Sequence, residues 1–90
     1  MACKHVIVKG KVQGVYYREC TLRTANSLNI SGWVRNQLNG DVELVMQGAE
    51  RDIKKMEQWL HRGSPGATVD SVIIKECEHE KEYEGFEVKS

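Results

Sequence analysis

An α+β sandwich is predicted by three features of the chain: β-branched runs alternating with two helical stretches, an Asn-Gly turn between the middle runs, and one segment with a clear 3.6-residue apolar period. Residues 4–12 form the first strand, with Val6, Val8 and Val12 on one face and His5, Ile7 and Lys9 on the other. A helix follows from about Tyr17 to Leu28; its inward stripe is Tyr17, Thr21, Ala25 and Leu28, while Arg23, Asn26 and Ser27 face water. The second strand runs from Ile30 to Asn36. Q-L-N-G then turns the chain into a third strand, Asp41 to Gln47, where Val42, Leu44 and Met46 alternate with Asp41 and Glu43. Asn39 and Gly40 both tolerate positive φ, the hallmark of a tight hairpin. Glu50 to Arg62 carries Ile53, Met56, Trp59 and Leu60 at helical spacing, with Ile53, Met56 and Trp59 read as core, and Gly63 stands where a left-handed cap belongs. Ser64-Pro65-Gly66 breaks this helix, Val69 to Glu76 forms a strand, and Gly85 to Val88 adds a short last one.

The order β-α-β-β-α-β with a C-terminal strand points to a ferredoxin-like sandwich, an antiparallel sheet with two helices on one face. In that topology the first and second strands are parallel with the third between them. Their exits then share one sheet edge, about 9.5 Å apart. The Gly10–Val15 turn and Arg35-Asn36 would flank a single cleft.

Ninety residues suffice for one domain, 1–90, since a second core would bury too little apolar surface. Lys plus Arg and Asp plus Glu both number 13, so there is no overall positive field of the kind nucleic acid attracts. The apolar run Val6-Ile7-Val8 is too short for a signal peptide, and no run is long enough to span a bilayer. A cytoplasmic location is expected, with no membrane partner. Cys3, Cys20 and Cys77 are an odd count without a C-x-x-C pair; they read as reduced thiols, a bridge containing Cys3 being the alternative.

The segment G-K-V-Q-G-V-Y-Y-R, Gly10 to Arg18, has the makings of an anion site. Gly10 and Gly14 accept positive φ, so the N–H groups of Lys11, Val12 and Gln13 between them can point into one concavity. A helix starting near Tyr17 adds unpaired N–H groups and its positive end. Arg18 supplies a fork of donors suited to paired phosphoryl oxygens. Val12 stands where a nucleotide P-loop needs Ser or Thr, and Cys20 follows Arg18 instead of preceding it as in a cysteine phosphatase. Taken alone, the segment is equally well read as a glycine-bearing connection with a surface Arg.

A second motif, G-W-V-R-N from Gly32 to Asn36, is followed by Gly40, Val42 and Gly48. Together the two motifs resemble the acylphosphatase family. The first family signature, apolar-x-G-x-V-Q-G-V-x-Phe/Met-Arg, matches Val8 to Arg18 except at Tyr17; the second, G-aromatic-small-basic-N-x-x-x-G-x-V-x-x-x-x-x-G, matches Gly32 to Gly48 throughout. Tyr17 keeps an aromatic body and adds a hydroxyl that needs a partner. The resemblance implies hydrolysis of an acyl phosphate to a carboxylate and inorganic phosphate. It assigns phosphate binding to the Gly10–Val15 backbone and Arg18, and the attacking water to Asn36. It implies no cofactor and no metal, and a monomer is expected.

His5, His61 and His79 are too scattered to ligate a metal. The acidic run Glu76 to Glu84 reads as a solvated strand end and loop, Arg35 as a solvated strand charge, and Trp33 as a packing residue. The runner-up functions are an anion sensor without turnover and an RNA-recognition domain. The latter is disfavoured because the third strand offers Val42, Leu44, Val45 and Met46 where RNA binding wants aromatics.

Overall fold

A computed structural model describes residues 1–78 and 81–89. His79 and part of the acidic run therefore lie outside the described residues. The elements are β1 (Ala2–Lys11), α1 (Tyr17–Ser27), β2 (Ser31–Asn36), β3 (Val42–Gly48), α2 (Glu50–Arg62), β4 (Thr68–Glu76) and β5 (Phe86–Val88). They build one five-stranded sheet in the order β4-β1-β3-β2-β5. β3 is antiparallel to both β1 and β2, so β1 and β2 run parallel on either side of it, and β5 lies parallel to β2 at the edge. This is the anticipated ferredoxin-like arrangement. No helix among the described residues is long and apolar enough to cross a membrane.

The core lies between sheet and helices. Val6, Val8, Val34, Val42, Leu44 and Met46 face Ala25, Ile53, Met56 and Leu60, all buried. Tyr17, Thr21 and Ala25 are the buried stripe of α1, whereas Leu28 packs only at its margin. Trp59, expected in the core, is half-buried at its border, tilted against Tyr17 with ring centroids 5.4 Å apart.

Four details differ from the sequence reading. The β2–β3 connection is a three-residue loop: Gln37 N–H bonds Asp41 O, Gly40 N–H bonds Gln37 O, and only Gly40, at φ 98°, is left-handed. Gly63 has positive φ but extended ψ, and its N–H closes α2 onto Trp59 O. β3 is buried on both faces, because it is the central strand and long neighbours fold over its helix-free side. There Glu43 accepts hydrogen bonds from Arg35 Nε at 2.6 Å and pairs with His5 Nε2 at 2.7 Å, Lys9 pairs with Asp41, and Gln47 binds the backbone of Lys81 and Tyr83. Arg35 is thus an ion-pair partner as well as a surface charge.

The fourth is the cysteines. Cys3 and Cys77 form a disulfide, and Cys20 alone is a free thiol. Lys4 pairs with Glu76 across β1 and β4, which makes Cys3 and Cys77 the next cross-strand neighbours, 5.5 Å apart at Cα. An odd count in sequence cannot reveal that adjacency.

Candidate active site

β1 ends at Lys11 and α1 starts at Tyr17, so five residues must reverse the chain. They do so through two left-handed positions, Gly14 at φ 75° and Tyr16 at φ 60°, ψ 21°. Tyr16 is the N-cap residue of α1, and no side chain caps that end. The N–H groups of the first turn therefore have no partner within the helix, and the residues of that turn, Tyr17, Arg18 and Glu19, border the cleft. Ser64 Oγ donates to Val15 O at 2.8 Å, and Gln13 Nε2 donates to both Gln37 O and Asp41 O. These contacts fasten the turn to the loop after α2 on one side and to the β2–β3 hairpin on the other.

Asn36 reaches the same place from β2. It pairs with Val42, which in turn pairs with Val8 of β1, so the backbone ladder sets the spacing across the cleft. Gly14, Arg18 and Asn36 line one cleft of about 490 Å³. Val12, Tyr16, Tyr17, Glu19 and Val88 complete its walls. Asn36 Oδ1 is fully buried and lacks a hydrogen-bond partner among the described residues. Leaving such an acceptor unpaired costs about 1–3 kcal/mol. Arg18 Nη1 donates to Lys89 O at 3.2 Å, which steers the guanidinium along the strand edge while leaving further donors free. A wider hollow of about 760 Å³ lies by Cys3 and Cys77 at the far end of β1 and contains none of the residues the motifs single out.

The acylphosphatase family pattern matches residues 4–88. The chain belongs to the acylphosphatase family. It is 45% identical over 86 residues to the acylphosphatase of Bordetella parapertussis, covering 96% of this chain and 92% of that one. The acylphosphatase of Trichormus variabilis is 46% identical over 85 residues, 94% of this chain and 83% of its own. The structure of an acylphosphatase from Coxiella burnetii superposes with a TM-score of 0.93 at 42% identity, over 98% of this chain and 92% of that one. The chemistry is therefore that of an enzyme hydrolysing small-molecule acyl phosphates.

Within this acylphosphatase fold the motif residues divide. Val12, Gly14, Arg18 and Asn36 border the cleft. Gly10 and Lys11 do not: they remain in β1, paired with Val69 and Thr68 across a bulge. A Cβ on Gly10 would stand 2.1 Å from Thr68 O, so this glycine serves close strand approach, and the turn proper begins after it. Gln13 and Val15 brace the turn through the bonds to the hairpin and to Ser64. Sequence reasoning did not pick out Ser64, Tyr16 or Val88.

The hydroxyl of Tyr17, the departure from the family signature, has its partner: it donates to Leu60 O at 2.9 Å. Burial pushes the phenol's pKa well up, so it stays a donor.

Proposed function

We propose that hydrolysis takes place in the Gly14–Arg18–Asn36 cleft by in-line attack of water on the phosphorus. The turn's backbone N–H groups, from Val12 through the start of α1, hold the phosphoryl oxygens, and Arg18 neutralises their charge. The Asn36 carboxamide positions the attacking water so that the water's lone pair aims at phosphorus. The new P–O bond forms as the P–O bond to the acyl oxygen breaks. The carboxylate leaves with the electron pair, and the water's proton passes to a phosphate oxygen. A carboxylate is a good leaving group, so positioning and charge stabilisation are the terms that matter.

The observation that carries this reading is that Arg18 from α1 and Asn36 from β2 line one cleft. A non-catalytic anion sensor would need the cation but not the carboxamide beside it. In this proposal the chain acts as a monomer comprising a single domain, 1–90, without cofactor and in a cytoplasmic setting. The test is steady-state hydrolysis of benzoyl phosphate in EDTA, with p-nitrophenyl phosphate as monoester control and inorganic phosphate as product inhibitor. Anhydride loss without monoester cleavage, inhibited by phosphate, supports it. Phosphate binding without turnover would leave the sensor.

A further inference from the structure

The phosphoryl end of a substrate accounts for only part of the cleft. A water occupies about 30 Å³ of liquid, so a phosphoryl group with its oxygens and one attacking water fill on the order of 150 Å³. The cleft measures about 490 Å³. That leaves room in it for an acyl group.

Two apolar side chains stand there exposed. Tyr16 is 78% exposed and Val88 41% exposed, and both border the cleft from different elements, the turn before α1 and the edge strand β5. The cleft's one carboxylate, Glu19, is bonded to Arg23 Nη2 at 2.9 Å along α1. Tyr16 also occupies a backbone conformation that L side chains resist, at φ 60° and ψ 21°. Gly would make the same turn without that cost, and Asn would make it at a reduced one. A bulky aromatic held there therefore needs a reason in its side chain. The ring makes no hydrogen bond and no aromatic contact among the described residues.

We propose that Tyr16 and Val88 form the acyl-group subsite and favour substrates whose acyl group is an apolar hydrocarbon, aromatic above all, over small acyl groups. The inference rests on the phosphoryl group binding as described above. The Tyr16 ring stacks on the acyl group while Val88 covers its other side. Neither touches the phosphorus.

The experiment compares benzoyl phosphate with acetyl phosphate in the parent, Tyr16→Asn and Tyr16→Gly, with Val88→Ser as the partner variant. Asn and Gly both tolerate the left-handed turn, so the loop keeps its shape. Aromatic stacking of the usual strength predicts a KM for benzoyl phosphate raised about three- to tenfold, with KM for acetyl phosphate changed less than about twofold. Val88→Ser should move the ratio in the same direction by less. An equal change for both substrates would show Tyr16 to be a turn residue only and overturn the proposal, as would an unchanged ratio. Failure of the phosphoryl reading shows separately, as parent-level activity in Arg18→Ala.

Discussion

Tyr17 donates its phenolic hydrogen to the carbonyl oxygen of Leu60, so the first residue of α1 caps the last turn of α2. Leu60 O is among the four terminal carbonyls that a helix cannot pair itself. Tyr17→Phe keeps the ring and strands that buried carbonyl. A loss of about 1–2 kcal/mol in folding free energy is expected from urea unfolding, where Phe at this position otherwise looks conservative.

Arg18→Ala removes the cleft's guanidinium. Losing one or two charge-assisted hydrogen bonds, about 1.5–3 kcal/mol each, lowers kcat/KM on benzoyl phosphate by roughly tenfold to several thousandfold. Asn36→Ala should lower kcat while the inhibition constant of inorganic phosphate changes much less, since Asn36 is assigned to the water. A folded Arg18→Ala enzyme with the parent rate would sink the assignment.

Gly32 sits between β3 and β5 at φ 138°, and a Cβ there would lie 1.9 Å from Val45 O. That neighbour is backbone in a ladder and cannot step aside. Gly32→Ala should destabilise by about 2–4 kcal/mol, read as a lower thermal midpoint, with the β2–β3 pairing around Val45 and Met46 loosened in amide exchange.

Glu43 gives acid sensitivity to the helix-free face. Burial opposes its ionisation, yet the hydrogen bonds from His5 and Arg35 outweigh it and hold the carboxyl below its ordinary 4.5. A carboxyl depressed in the folded state stabilises the fold above the unfolded value, and that contribution is lost as pH falls through the folded one. The thermal midpoint should therefore decline below about pH 4.5. Glu43→Gln should flatten that decline in a scan from about pH 5 to pH 3.

Cys3 and Cys77 are 74 residues apart, so their bridge closes most of the chain into one loop. Dithiothreitol should lower stability by about 2–4 kcal/mol, and a Cys3→Ser/Cys77→Ser protein should start at that lower value and ignore the reductant.

The two helices and four main strands were legible because their apolar periods differ and because Gly63 and Ser64-Pro65-Gly66 punctuate α2. Arg18 and Asn36 were legible as motif residues, and the parallel placement of β1 and β2 brings them to one cleft. What escaped depends on neighbours distant in sequence. The Cys3–Cys77 bridge needs the β1–β4 register, and the burial of Glu43 needs His5 and Arg35 from two other strands. The strand assignment of Gly10 follows from Thr68, 58 residues later, whose carbonyl leaves no room for a side chain. Tyr16 escaped for another reason: local propensity argues against an aromatic in the left-handed region, so nothing in the sequence announces one.

Asn36, Val42 and Val8 lie opposite one another in a single row across β2, β3 and β1. The spacing between β1 and β2 is thereby ruled by peptide geometry, as a caliper is locked by its frame. Drift in the side chains of the core can soften this protein or stiffen it, but the gap across which we place the phosphoryl group stays at two strand widths.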